Sequence, residues 1–241
     1  MGVVGGRWGL AGPSTQGDAV LSAVNGDSTS MLFLVIGAAL LGGALSPLAE
    51  ILIAKLLPRL GGVPRVKMRI ATAALTAVAS VAFALHFGIK ASLPAFIFLA
   101  IIGVQLARID VALHLLPNPL VLTLLAGGLL LLLLPALLDK QSDQWLRAAL
   151  GAVILFAAYL IMGLISPGGI GMGDVKLAAP VGLYLGYLGW TQLLYGGLLG
   201  FVLNGVVTLL VLRRKGRKQA TEVPHGPSML GALAALALFT S

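Results

Sequence analysis

Apolar stretches about as long as a bilayer crossing recur along almost the whole chain. Hydrophobic residues make up 59% of the 241 residues, and charged residues only 10%. The mean hydropathy of +1.02 is far above that of a soluble globular domain. A membrane-spanning helix needs about 20 apolar residues, so a chain of this length has room for about seven or eight spans. The sequence therefore predicts an all-α fold, a polytopic transmembrane helix bundle.

We expect about eight spans, with six to eight as the range, because two of the apolar stretches are short for a full crossing. Residues 1–30 are rich in Gly, Ser and Thr and lack the basic start and apolar core of a secretory signal. We therefore expect a flexible N-terminal tail over 1–30 and a transmembrane domain over 31–241. The predicted stretches are 32–57, 69–88, 93–109, 119–138, 146–165, 175–189, 191–212 and 228–240.

The distribution of basic residues predicts the orientation of these spans. With eight spans and the N-terminus outside, twelve of the 16 Lys and Arg residues fall on the inner side. This asymmetry follows the positive-inside rule. The same charges indicate membrane topology rather than nucleic-acid binding, and we interpret the cluster at 213–218 as a contact with anionic lipid. The outer residues are Arg7, Lys90, Lys140 and Arg147.

Three of the eight acidic residues lie within or at the edge of apolar stretches: Glu50, Asp110 and Asp174. Burying a charged carboxylate there costs on the order of several kcal/mol. A carboxylate in such a position is therefore usually paired or functional. Glu50 lies five residues before Lys55 near a helix end, so we interpret it as a locally paired or interfacial residue. Asp110 and Asp174 need a functional explanation.

Asp110 and Asp174 are both predicted where irregular backbone meets a helix at the inner membrane face. Pro117 follows Asp110, and a glycine-rich run precedes Asp174. Non-helical backbone at that depth is tolerated only if it is packed in protein or lines a wet cavity. Two carboxylates in such a cavity can share one proton and act as the general base and general acid of an aspartic protease. They can equally form the proton relay of a small ion-coupled transporter, and residue chemistry alone leaves both alternatives open.

The residues around the two aspartates resemble those of the type IV prepilin peptidase family, a group of intramembrane aspartyl proteases with a GxGD motif. Gly171, Gly173, Asp174 and Lys176 match the GxGDxK form of that motif. The segment from Asp110 to Leu116, Pro117 and Asn118 resembles the family's first aspartate motif. A third segment, 224–227, is similar to the family's Pro-Phe-Gly-Pro, with His225 in the position of the Phe, and the segment at 41–60 resembles its first span.

This resemblance implies that Asp110 and Asp174 are the catalytic pair, with Gly171, Gly173, Lys176, Pro117 and Asn118 binding substrate or supporting the site. It implies cleavage of the leader of prepilins or pseudopilins by a multi-pass protein of the cytoplasmic (inner) membrane. The peptidase would need no metal or other cofactor. Many members also methylate the new N-terminus with S-adenosylmethionine and carry two cysteine pairs in a cytoplasmic loop, whereas this chain has no cysteine. It is a short form in that respect, and methyl transfer stays open.

A degenerate, non-catalytic pilus assembly factor is a further alternative. We interpret His114 as an interfacial polar residue that can also tune Asp110, since it follows at helical spacing. The three histidines are too scattered for a metal cluster, and the glycine-rich run lacks the strand and the Lys of a phosphate loop. The oligomeric state is not predicted.

Overall fold

A computed structural model of the chain describes residues 14–140, 142–166, 169–215 and 223–239. These residues form α-helices joined by short segments and a single 3-10 turn, Pro58–Leu60. The helices are α1 (Ser14–Leu56), α2 (Val66–Phe87), α3 (Leu93–Leu113), α4 (Asn118–Leu131), α5 (Leu133–Leu138), α6 (Ser142–Ile165), α7 (Met172–Leu188), α8 (Trp190–Lys215) and α9 (Gly226–Phe239). The prediction of an all-α fold is confirmed.

Six helical segments are long and apolar enough to cross a membrane by length and composition. All six agree with predicted stretches to within a few residues, and one of them, Asn118–Leu138, combines α4 and α5. The two stretches predicted to be short are short: α7 has 17 residues and α9 has 14. The orientation with the N-terminus outside stays a prediction. The six segments are Thr29–Leu56, Val66–Phe87, Leu93–Leu113, Asn118–Leu138, Ser142–Ile165 and Trp190–Arg213.

The first helix begins earlier than the apolar pattern indicates. α1 starts at Ser14, so residues 14–30 of the segment predicted as a flexible tail are helical. Residues 1–13 lie outside the described residues, and the tail as a whole stays a prediction.

The outer surface of the bundle is apolar, as a lipid-facing surface requires. Large side chains such as Leu40, Val78, Leu137 and Ile165 are each at least 66% exposed. A soluble protein rarely leaves so many large apolar side chains in contact with water. The exposed apolar face of the helices therefore agrees with a bilayer as their surroundings.

α7 lies at the centre of the bundle, packed against α4, α6, α8 and α9. Its residues from Val181 to Tyr187 are all buried. Glycines let it approach α6 closely, because the Gly151 backbone on α6 lies directly against Gly182 and Gly186. Its end is held by Arg147, whose guanidinium donates hydrogen bonds to the carbonyls of Gly186 (2.7 Å) and Tyr187 (2.8 Å). Packing against these neighbours therefore stabilises α7, which at 17 residues is short for a membrane crossing.

The buried carboxylate of Glu50 is paired, as expected, although with a different residue from Lys55. Glu50 is 1% exposed, and its Oε2 accepts a hydrogen bond of 3.2 Å from Nε of Arg69 on α2. The hydroxyl of Thr72, one helical turn further along α2, donates to Oε1. Lys55 is exposed. Glu50 therefore joins α1 to α2 as a structural residue.

Candidate active site

Asp110 lies in the last turn of α3 and is 5% exposed. The backbone N–H of Gly226, the first residue of α9, donates a hydrogen bond of 3.1 Å to its Oδ2. α3 ends directly after it, because His114 adopts the left-handed conformation with φ 52° and donates its N–H to the Asp110 carbonyl. The carboxylate is thus held at the junction of α3 and α9.

Asp174 lies in the first turn of α7, immediately after the glycine-rich run. Gly171 is extended, with φ −66° and ψ 138°, and its carbonyl accepts the N–H groups of Asp174 (3.0 Å) and Val175 (3.2 Å). Of the described residues of the run, 169–171 are non-helical, as predicted, whereas Met172 and Gly173 already belong to the first turn of α7. A carboxylate in the first turn of a helix is favoured by the helix dipole.

The two aspartates, 64 positions apart in the sequence, line one cavity of about 500 Å³. The structure thus brings together the two residues that the sequence singled out, at the end of the bundle where α3 stops and α7 starts. The residues lining the cavity are Asp110, His114, Gly169, Ile170, Gly171, Asp174, Phe201, Asn204, Val223, Pro224 and His225.

Of the five predicted supporting residues, Gly171 lines this cavity, whereas Gly173, Lys176, Pro117 and Asn118 are not among its lining residues. Nζ of Lys176 donates a hydrogen bond of 3.0 Å to Oδ1 of Asn118, which joins the start of α7 to the start of α4. Pro117 precedes α4 and accepts the N–H groups of Leu120 and Val121. The bond between Lys176 and Asn118 therefore connects the starts of α7 and α4, while Pro117 caps the first turn of α4.

Two glycines of the site are needed for close packing. A Cβ on Gly173 would lie 3.1 Å from Cβ of Leu116, in the segment between α3 and α4. A Cβ on Gly226 would lie 2.6 Å from Oδ2 of Asp110, well inside contact distance, and 3.4 Å from Cδ1 of Leu116. Leu116 therefore packs against both glycines, and the absence of a side chain at 226 gives Asp110 its hydrogen-bond donor.

An aromatic cluster that the sequence did not predict lies beside the cavity, and two of its members, Phe201 and His225, line the cavity. Nε2 of His225 lies 3.0 Å from the hydroxyl of Tyr159 on α6, and Tyr159 is 2% exposed. Phe201 on α8 packs its ring against both, with centroids 5.1 Å from Tyr159 and 4.9 Å from His225. Tyr159 is the single tyrosine of the apolar stretch 146–165. Because a buried phenol hydroxyl usually has a hydrogen-bond partner, a lone tyrosine in such a stretch is the sequence signal for this contact.

Asn204 of α8 is a second lining residue that the sequence analysis missed. Its Oδ1 is buried and has no hydrogen-bond partner among the described residues. A buried acceptor is costly unless a water or another polar group satisfies it. The signal in the sequence is an asparagine within an otherwise apolar span.

His225 makes the stability of the protein dependent on pH. Burial lowers the pKa of its imidazole below the ordinary value of 6.5. The unfolded chain therefore binds more protons than the folded one as the pH drops below about 6.5, and the free energy of unfolding falls there. We expect His225→Phe to make this decrease shallower, measured by denaturant unfolding in detergent between about pH 7.5 and about pH 5.

The control for that experiment is His86→Phe, at a histidine in the last turn of α2, remote from this cavity. The wild type and the variants are compared by the slope of the free energy of unfolding against pH. The absolute values are not compared, because loss of the hydrogen bond to Tyr159 lowers the stability of His225→Phe at every pH. Equal slopes for the wild type and His225→Phe would show that His225 does not contribute to the pH dependence.

In the part of the chain that the structure describes, no group of three His, Cys, Asp or Glu residues could hold a metal ion. The prediction of a peptidase without a metal stays a prediction.

The fold and the site define a class: a membrane-embedded helical bundle with two aspartates facing one polar cavity at the ends of its helices. Within that class, residues 96–210 match the sequence model of the type IV leader peptidase family, and this range contains both aspartates. The resemblance predicted from the motifs is confirmed. The matched range ends before the segment 224–227, whose likeness to the family stays a prediction.

Curated relatives agree with this family. The chain is 32% identical over 143 residues to a prepilin leader peptidase/N-methyltransferase of Stutzerimonas stutzeri, covering 59% of this chain and 48% of the relative. It is 32% identical over 154 residues to one of Aeromonas hydrophila (64% and 52%) and 29% identical over 156 residues to one of Bacillus subtilis (64% and 59%). The chain thus spans about half the length of the curated relatives it matches. No solved structure matches it.

Proposed function

We propose that this protein is an aspartic endopeptidase that removes the leader peptide of type IV prepilins or pseudopilins at the cytoplasmic face of the inner membrane. The observation that carries the proposal is that Asp110 and Asp174, far apart in the sequence, line the same cavity. The family match and the names of the relatives support the same activity.

The mechanism follows from placing two carboxylates in one partly buried cavity. Both cannot ionise cheaply, so the pair holds one proton and acts as a unit. The ionised carboxylate takes a proton from a water molecule, which attacks the scissile carbonyl, while the protonated carboxylate donates to that carbonyl oxygen. As the C–N bond of the tetrahedral intermediate breaks, the carboxyl that took the proton from water delivers it to the leaving amine. A hydroxyl of the intermediate returns a proton to the other carboxylate, which regenerates the pair with its one shared proton. No metal or organic cofactor enters these steps.

Gly226 positions one member of this pair in the proposed mechanism. Gly226→Ala places a methyl group against Oδ2 of Asp110, so either the carboxylate or α9 must shift. We expect kcat for leader removal to fall by about 10- to 100-fold, since small displacements of a reacting group cost rates of that order. The matched control is Gly231→Ala on the same helix, where a Cβ meets nothing within 4 Å. A Gly226→Ala variant with wild-type kcat would contradict this positioning role.

The test of the proposed function is cleavage of a full-length prepilin by the purified protein in detergent, followed by gel shift and N-terminal sequencing. Detergent micelles sustain no ion gradient, so turnover there supports a peptidase and not an ion-coupled transporter. We expect cleavage without added metal or S-adenosylmethionine. Mass spectrometry of the product with and without S-adenosylmethionine then tests methyl transfer. A folded protein that leaves several prepilins uncut would overturn the proposal.

A further inference from the structure

A long apolar groove runs between α6 and α8 on the outside of the bundle. Its walls are one face of each helix, because successive lining residues are alternately three positions and one position apart. From Trp190 to Phe201 the groove follows twelve residues of α8, which is about 17 Å at about 1.5 Å per residue step. On α8 the lining residues are Trp190, Leu193, Leu194, Gly197, Leu198 and Phe201.

The walls of this groove are apolar and open to the lipid side. Its volume is about 340 Å³. On α8, Leu194 and Leu198 are 62% and 56% exposed. Each wall also has a small residue, Ala158 on α6 and Gly197 on α8, and small residues let another helix approach closely in a membrane. The groove therefore has the shape and chemistry of a site for an apolar helix.

Shared lining residues connect the groove to the cavity that holds the two aspartates. A second apolar recess of about 370 Å³ extends it, and Met162 and Phe201 line both. That recess in turn shares Gly169, Ile170 and Phe201 with the aspartate cavity. An occupant of the groove that continues past Phe201 thus arrives at Asp174.

The chemistry changes where the groove meets the cavity. Asn204 lies three residues after Phe201 on α8 and lines the cavity with its unpartnered Oδ1. A helix in a membrane satisfies its own backbone groups, whereas a peptide that unwinds to be cut exposes N–H groups that need acceptors. Asn204 can accept a hydrogen bond from such an N–H at the point where the occupant leaves the apolar walls.

We infer that the groove between α6 and α8 binds the apolar membrane helix of the peptidase's own substrate and delivers the peptide that precedes it to Asp110 and Asp174. This inference rests on the proposed function. In this inference the apolar face of α8 contacts the substrate helix, and Asn204 accepts a hydrogen bond from the first unwound residues of the substrate.

Filling the groove tests the inference. Ala158→Trp places a large side chain in the groove away from both aspartates. We expect kcat/KM for a full-length prepilin to fall at least tenfold, mostly through KM, while a soluble peptide with the cleavage site but no apolar helix is cut at the wild-type rate. The matched control is Val153→Trp on the same helix, which is 64% exposed and does not line the groove, and should resemble the wild type with both substrates.

Photo-crosslinking locates the substrate directly. A photoreactive phenylalanine analogue is placed at Leu194 or Leu198 in the groove, and at Leu210 as the control, in an Asp174→Asn background. Leu210 is 52% exposed and follows Phe201 by nine residues on α8, which at about 3.6 residues per turn is the opposite face of the helix. We expect crosslinks to the apolar segment of the prepilin from the two groove positions only. Crosslinks to lipid alone, or equal yields from Leu210, would overturn the inference.

The two proposals can fail separately. If the wild type cleaves prepilin and Ala158→Trp cleaves it equally well, the groove is not the substrate site and the peptidase stands. If the wild type cleaves no substrate, the proposed function itself fails.

Discussion

Replacing either Asp110 or Asp174 with asparagine is expected to abolish leader removal, with kcat at least about 10³-fold below the wild type. Asparagine keeps the size of the side chain but can neither take a proton from water nor hold the shared proton. Because the two carboxylates act as a unit, the double variant should be no slower than either single variant. The measurement is single-turnover cleavage of a prepilin by each purified variant in detergent.

Asp143→Asn is the matched control, since Asp143 lies exposed in the first turn of α6 and outside the cavity. It should cleave like the wild type. Each variant is first shown to be folded by its unfolding transition. A folded Asp110→Asn or Asp174→Asn variant that still removes the leader would refute the catalytic pair.

The second large effect is expected on stability, at the contact between α6 and α7. A Cβ on Gly182 would overlap the carbonyl oxygen of Gly151, which is backbone and cannot rotate away. Gly182→Ala should therefore lower the free energy of unfolding by about 3 kcal/mol, the upper part of the range for overpacking a core. Because α7 carries Asp174, peptidase activity should fall with it. Reversible unfolding in mixed detergent micelles measures the difference.

Gly205→Ala on α8 gives the comparison, because a Cβ there meets nothing within 4 Å. Alanine is the better helix former by about 1 kcal/mol, so this change should be neutral or slightly stabilising. Equal stabilities for Gly182→Ala and Gly205→Ala would show that α6 and α7 do not pack as closely as the structure indicates.

The sequence was sufficient to predict the helices and to single out the two aspartates as candidate site residues, because both signals are local. A run of apolar residues is helical in a bilayer whatever its neighbours are, since the backbone must satisfy its own hydrogen bonds there. The glycine-rich run before Asp174 and the prolines after Asp110 mark irregular backbone for equally local reasons. One difference from the pattern is local as well: α1 begins at Ser14, ahead of the apolar stretch.

The sequence did not predict which residues pair with the buried polar groups of Glu50, Asp110 and Tyr159. Glu50 pairs with Arg69 rather than with the nearby Lys55, because the packing of α1 on α2 sets the pairing. The N–H that holds Asp110 comes from Gly226, 116 positions away, and Tyr159 meets His225 across 66. No periodicity within one helix carries information of this kind.

Asp110 and Asp174 were recognisable in the sequence because a carboxylate within an apolar stretch is costly and usually marks a paired or functional group. Their meeting in one cavity, and the groove that leads to it, depend on how closely α6 approaches α7 and on how α8 lies beside them. Those distances are set by contacts between distant residues, such as Gly151 with Gly182. The hydropathy of a chain specifies which segments enter the membrane, whereas the packing of small and large side chains between segments specifies where a site forms.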